Sequence, residues 1–562
     1  MVRQYFVKMY ASQKDMDIVP AAQIRRLRKG LVVFMKRKLL AAVLAAAMVS
    51  TMFTGCGNKE EEGGSPDVSG ESSAQQGTES NTEAETGAEG EEPAQDGEYP
   101  VVTMEYLLIG DTSQKQEIQD ALNVILREKA QAEVELVGIE FANLVTQLNL
   151  MLTGGENSID LFNSFWYTSE SNLVSNGQVM ALDDLLKEYG KDIQSVYEGY
   201  ESYLNCGKIG DTLYGIPSVY AWCSQNEYIV YSEDVEKAGV GEELAKAASL
   251  EDITNVMVKL KEANPDKYYI PGATQTYWIP KSIDYLGDTN FLGVLTDPTR
   301  STTVENYYES DYFRKFLENV KIWKEKGIIS PDPMSNSDAT LVNLQYGVAN
   351  GTLGYNWDAQ QGVDSVAASY GLNVTGAAVT DKLATTGDVT TYMWHISSFC
   401  KNPEAAMRVL NVLYSDEEAA KLVGQGIEGK NYVVTEDGRL SFPEGKSLFD
   451  CGWGPGGSAL WPNITLCAPR DYEPVDIFEQ MKAANASASK SLALGFQFDA
   501  SPVADQMAAC ANVISQYYIP LIMGEADIDA VLPEFQQALH TAGIDDIIKE
   551  KQSQLDSWLA IQ

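Results

Sequence analysis

Between Tyr99 and Phe162 apolar runs of two different periods alternate, and this limits the folds open to the chain more than any other feature. Tyr99 to Ile109 (YPVVTMEYLLI) reads as a strand, turned by Gly110-Asp111-Thr112. Gln114 to Gln131 places Ile118, Leu122, Ile125 and Leu126 on one helical face. Val134 to Ile139 is a second strand, Phe141 to Leu152 a helix ended at Gly154-Gly155, and Ile159 to Phe162 a third strand. Repeats of this kind predict a parallel sheet with helices on its faces, an α/β fold. Ligands of such sheets sit beyond the C-terminal strand ends, where Asn163 and Trp166 stand.

A second set of elements starts near Glu227 to Tyr231 (EYIVY). Helices are expected over Asp252 to Asn264 and Tyr308 to Lys326, the latter with Trp323 on the same stripe as Phe316 and Val320. Leu344 to Tyr355 ends in a strand, which leaves Asn356-Trp357-Asp358 at its tip. Thr390 to Ile396 is a further strand; its His395 reads as structural, because a lone histidine there has no partner pattern. Helices follow over Pro403 to Tyr414, Ser415 to Val423, Ala504 to Tyr518, Asp527 to Ala542 and Ile544 to Ala560. Asp450 to Pro462 is a loop dense in Gly and Pro, carrying Trp453 and Trp461.

The N-terminal part is of another kind. Met35 to Cys56 (MKRKLLAAVLAAAMVSTMFTGC) has a basic head, a short apolar core and small residues before its end, the make-up of a secretory signal. Residues 1–34 do not fit a signal head; they read as an overcalled start or a long leading region. Residues 35–55 form the signal. Phe53-Thr54-Gly55-Cys56 resembles the lipobox of bacterial lipoproteins, which implies that Cys56 carries lipid and anchors the protein to a bilayer surface. Residues 56–98 are Gly, Ser, Glu, Thr, Gln and Ala with almost no large apolar side chain, and are expected to be an acidic disordered tether.

A formal net charge of -39 argues against nucleic acid as a partner, since a phosphate backbone needs a basic face. With two histidines and no Cys/His cluster at zinc spacing, no metal or other cofactor is expected. Cys206, Cys223, Cys400, Cys451, Cys467 and Cys510 leave three disulfides or six buried thiols open.

Four stretches carry a family resemblance: the lipobox, the helix and Gly turn from Phe141 to Leu161, Tyr214-Gly215-Ile216-Pro217, and the back part (Gly426 to Tyr432 and Gly495 to Gln562, with its Phe-Asp-x-Ser-Pro-Val turn). On them the chain resembles the extracellular solute-binding lipoproteins of bacterial ABC importers, of the maltodextrin-binding-like class, and most closely the LipO-like lipoproteins. The resemblance implies a periplasmic-binding-protein fold: two α/β lobes, a hinge and an interlobe ligand cleft. It sets lobe 1 at 99–221 plus 391–450 and lobe 2 at 222–390 plus 451–562. It further implies a monomer at the outer face of the cell membrane, partnered by permease subunits and without enzymatic activity.

Loop tryptophans favour an oligosaccharide as the solute, because sugar faces stack on aromatic rings while hydroxyls need polar partners. The stacking candidates are Trp166, Trp222, Trp278, Trp357, Trp453 and Trp461. The polar candidates are Asn163, Gln225, Asn356, Asp358 and Arg470. The rival readings are an extracellular glycan-active enzyme, which needs a facing carboxylate pair that no pattern isolates among 80 acidic residues, and a receptor for a peptide or other non-sugar solute.

Overall fold

The computed structural model describes residues 99–561 except 141–142, 156–157, 166–169, 275–278, 339, 448–449 and 455–459. The signal, the tether, Cys56, Trp166 and Trp278 therefore lie outside the described residues.

The strands that position the site are β1 (Val101–Leu108), β2 (Glu133–Glu140), β3 (Leu161–Asn163), β4 (Ile216–Pro217), β5 (Gln225–Tyr231), β6 (Gly351–Asn356), β7 (Val374–Ala378), β8 (Leu383–Ala384), β9 (Met393–Ile396) and β10 (Ser489–Lys490). The first sheet has the order β2-β1-β3-β9-β4. Its strand β1 runs parallel to β2 and β3, and β9 enters antiparallel beside β3, with Trp394 opposite Asn163. In β1, Met104 to Leu107 are buried in succession, as a central strand covered on both faces requires. The second sheet is antiparallel, in the order β6-β5-β7.

Helices cover these sheets along the stripes their sequences predict. Helix α1 (Lys115–Lys129) buries Ile118, Leu122, Ile125 and Leu126 against the first sheet. Helix α2 (Asp311–Glu325) starts at Ser310, whose side chain accepts from the Phe313 N–H, one of the open donors of a first helical turn. It buries Phe313, Phe316, Leu317, Val320 and Trp323 in the second core. Helix α3 (Ala359–Tyr370) lies over β5, where Gly362 permits the approach: a Cβ there would meet Glu227 Oε2 at 1.9 Å. Burial, reinforced by the charge of Asp358, pushes that Glu227 carboxyl up to about 8.

Each sheet has its own core. The first gathers Met104, Leu122, Trp222, Trp394 and Leu410, and the second Tyr228, Leu260, Trp323, Leu521 and Phe535. Trp453, Trp461, Ala484 and Ala488 also belong to the first core. These four residues thus pack with lobe 1, whereas the expected boundaries assign them to lobe 2. Ala384 and Val389 join the same core, ahead of the expected boundary at 391.

Three chain segments pass between the lobes and are zipped side by side. Ser224 exchanges two main-chain hydrogen bonds with Leu383 (2.9 and 3.0 Å), and β8 pairs parallel with β10. Around this zipper Lys281 Nζ stands 3.0 Å from Asp388 Oδ1, both side chains at least nine-tenths buried. Burial works against the charge on Lys281, but Asp388 outweighs it and holds the ammonium well above its ordinary pKa. Ser224 Oγ donates to the same Asp388 oxygen at 2.8 Å.

Behind the hinge, helices α4 (Ala504–Ile522), α5 (Ile528–Ala542) and α6 (Ile544–Leu559) close the second lobe. From α6 the fully buried Lys551 donates to the carbonyls of Leu292 (2.7 Å) and Gly293 (3.0 Å). The six cysteines of this body are free thiols, so the disulfide alternative does not hold. Burial pushes Cys223, Cys400 and Cys467 up to about 12.

Candidate ligand-binding site

The tip of β6 and the start of α3 meet lobe 1 across a cavity of about 220 Å³. The second lobe contributes Asn356, Trp357, Gln361 and Asp364. The first contributes Gln425, Trp461, Arg470, Glu473, Ile477 and Met481. The walls differ in kind. Trp357 is half-buried and packs against the first core from the opposite lobe, with Lys382 Nζ 5.7 Å from its ring centroid. Trp461 is nearly fully buried as the middle member of an aromatic ladder, stacked at 6.3 Å on both Trp394 and Trp453, and brings only a small part of its ring to the cavity.

The polar groups of this wall are held by short local bonds. Asp358 caps α3, accepting from the N–H groups of Gln360 (3.0 Å) and Gln361 (3.4 Å), and pairs with Lys382 at 2.7 Å. Gln425 is fixed by two hydrogen bonds to the Ala468 main chain. Glu473 Oε2 accepts the main-chain N–H of Arg470 at 2.7 Å. Burial raises the Glu473 pKa, partly offset by that N–H and by the Arg470 charge. Arg470 is 8 % exposed, its guanidinium 4.5 Å from the Phe442 centroid, and its Nη1 has no hydrogen-bond partner among the described residues.

On the far side of Trp461 lies a second, small cavity of about 10 Å³, lined by Glu105, Asn163, Phe165, Trp394 and Leu460 among others. Asn163 is buried there, accepting from Phe165 N at 3.1 Å and donating its own N–H to Glu105 Oε2 at 3.2 Å. Phe165 holds a left-handed backbone at φ 52, an uncommon conformation for a bulky residue. Burial pushes the Glu105 carboxyl up to about 8, with only the Asn163 N–H opposing.

The structure therefore brings Asn356, Trp357, Trp461 and Arg470 to one cavity and Asn163 to its neighbour. It sets other candidates apart. Trp222 lies inside the first core, ringed by Tyr197 (5.5 Å) and Tyr203 (4.8 Å), with its Nε1 donating to the Ser218 carbonyl. It has no face for a ligand. Trp453 is likewise buried, anchored by its Nε1 to the Val423 carbonyl at 2.9 Å, and supports Trp461 from behind. Gln225 is buried as the first residue of β5, opposite Asn356 in the ladder. Asp358 is occupied in capping and in its ion pair. His395 is buried, with Nδ1 2.8 Å from the Tyr214 carbonyl and Nε2 3.2 Å from Glu170. Sequence reasoning missed Gln361, Gln425, Glu473 and Glu105. Only Glu105 left a signal: a lone charge inside the apolar run VVTMEYLL.

Two lobes joined by three crossings, with a mixed polar and aromatic cavity between them, define a ligand-binding protein of the periplasmic type. The chain belongs to the bacterial extracellular solute-binding protein family, whose model matches residues 110–420. A second model, described as a domain of unknown function (DUF3502), matches residues 492–560, which begin just after β10 and take in α4 to α6. Membership makes this a solute-binding protein and not an enzyme. A protein of Streptococcus pneumoniae named carbohydrate ABC transporter substrate-binding protein is 25% identical over 478 residues, covering 83% of this chain and 92% of its own. Among solved structures, the N-glycan transport solute binding protein NgtS of Streptococcus pneumoniae is 21% identical with a TM-score of 0.70, over 82% of this chain and 99% of its own. A solute-binding protein from Bifidobacterium longum infantis, described as binding HMO, is 16% identical with a TM-score of 0.55, over 81% and 98%. These likenesses establish the fold. No described helix is long and apolar enough to cross a membrane.

Proposed function

We propose that the protein captures an oligosaccharide between its lobes and delivers it to the membrane permease of an ABC importer. The observation that carries this reading is the interlobe cavity, where half-buried Trp357 offers a ring from one lobe beside Asn356 and Gln361, and the other lobe brings Arg470, Gln425 and the rim of Trp461. Rings and hydrogen-bonding groups converging from two lobes suit a solute with apolar faces and polar edges. A solute that touches both lobes favours their closed arrangement through its differential affinity for it. Support also comes from the relative named for carbohydrate transport and from NgtS, whose structures include complexes with Man1GlcNAc and Man5GlcNAc.

In this reading the receptor acts as a monomer, tethered to the outer face of the membrane by lipid on Cys56, close to its permease. Calorimetry of the secreted body against an oligosaccharide panel tests the ligand class. Binding of peptides and not of sugars would overturn it. Mass spectrometry of the membrane-extracted protein tests the anchor: a Cys56 without acyl chains removes it.

A further inference from the structure

We infer that the interlobe cavity selects sugar units bearing an acetamido group, with Arg470 donating to the acetamido carbonyl oxygen. This rests on the reading of the chain as an oligosaccharide receptor and names the group that the receptor distinguishes.

The inference starts from a mismatch. Arg470 lines the cavity at 8 % exposure, yet Nη1 is buried with no acceptor among the described residues. A buried donor on a charged group that lacks its partner is costly. An acceptor brought by the solute offsets that cost. Three acceptor classes are open to a sugar: a carboxylate, a hydroxyl and an acetamido carbonyl.

The surroundings choose among them. Glu473 stands on the same wall, tied through Oε2 to the main chain of Arg470, and Asp364 lines the cavity from the other lobe. Two carboxylates share the lining with one guanidinium, so a solute carboxylate meets like charge there. A hydroxyl would satisfy Nη1 but offers nothing to the apolar part of the lining, Ile477 and Met481. An acetamido group matches all three features. Its carbonyl accepts from Arg470, its N–H donates to the Glu473 carboxylate, and its methyl lies on Ile477 and Met481. The cavity, about 220 Å³, is smaller than the roughly 300–1,000 Å³ pockets of drug-sized ligands. It has room for one unit of a longer chain.

The test uses the mature protein and pairs of oligosaccharides that differ only in one acetamido group, such as lactose with N-acetyllactosamine, within a wider panel of matched pairs and glucuronate-containing chains. Calorimetry should show the acetylated member of a pair binding roughly 10- to 100-fold more tightly, the range of one hydrogen bond to a charged group. R470M should erase that preference, and R470K should keep only part of it. W357A should weaken both members of a pair alike. Equal binding of the two members by the wild type, a preference retained in R470M, or tighter binding of glucuronates overturns the acetamido assignment while oligosaccharide capture stands. No binding of any oligosaccharide overturns both. The preference of the wild type decides the matter even if R470M fails to fold.

Discussion

The Lys281–Asp388 pair at the hinge allows a prediction with a worked magnitude. Lys281→Met removes the ammonium and leaves Asp388 as a buried charge. Breaking a buried pair on one side typically costs about 3–5 kcal/mol. Asp388 keeps hydrogen bonds from Ser224 Oγ (2.8 Å), Thr385 Oγ1 (2.8 Å) and Thr385 N (3.3 Å), which argues for the lower end, about 3 kcal/mol. At ~2.1 cal/mol/K per residue, a body of roughly 460 residues unfolding as one unit has an unfolding entropy of about 1 kcal/mol/K, so the melting temperature should fall by about 3 °C. Calorimetric scans of K281M, D388N and the double variant measure it. Removing both charges should restore more than half of the loss, because the penalty lies in the unpaired ion and not in the absent bond. An unchanged melting temperature in K281M, or a double variant that loses the sum of the singles, refutes the argument.

W357A should weaken oligosaccharide binding by roughly 10-fold or more with little change in melting, as expected of a residue anchoring an interface. W222A should do the reverse, costing ~3–5 kcal/mol of stability, and calorimetry with thermal melting separates the two. Glu105, pushed up to about 8 by burial, stays protonated in the folded protein while its unfolded counterpart ionises. The unfolded state then binds fewer protons between about pH 4.5 and 8, so Glu105 makes stability fall as pH rises through that window. E105Q should flatten this slope in melts taken from pH 5 to 8, and an unaltered slope would show that Glu105 is ionised when folded. The five buried thiols should react with iodoacetamide only after denaturation, while half-buried Cys467 at the cavity is open to reaction in the native state, and reductant should leave the melting temperature unchanged; a drop on reduction would reveal a disulfide.

Much of the fold is legible because strongly periodic segments announce themselves. The stripe Ile118, Leu122, Ile125 and Leu126 predicts α1, and the stripe through Phe316, Val320 and Trp323 predicts α2. Helix α3 escapes notice for the opposite reason. Ala359–Tyr370 (AQQGVDSVAASY) is built of small and polar residues, and its contact with β5 depends on Gly362 and a buried acid, which no apolar period encodes. The site was legible at strand tips, where Asn356 ends β6 and Trp357 follows it. It was not legible for Trp222 and Trp453. Both stand among polar, Gly- and Pro-containing residues, yet each is a core side chain whose indole N–H meets a carbonyl of its own lobe. Local sequence cannot tell a tryptophan facing a cleft from one facing inward, because the difference lies in which side chains the tertiary fold gathers round the ring, Tyr197 and Tyr203 round Trp222 for example.

The zipped crossings also govern when the protein can fold. Strand β9 sits between β3 and β4 in the first sheet, although it follows them by more than 170 residues, and Trp453 and Trp461 complete the same core later still. Pairings of such long range make a chain slow to collapse. A nascent chain released as far as β4 can pair only β2, β1 and β3 of this five-stranded sheet and has no lid for its aromatic side, so the first lobe stays incomplete. For a member of an extracellular solute-binding family, the consequence is a first lobe that closes only late in synthesis, once β9 has been added.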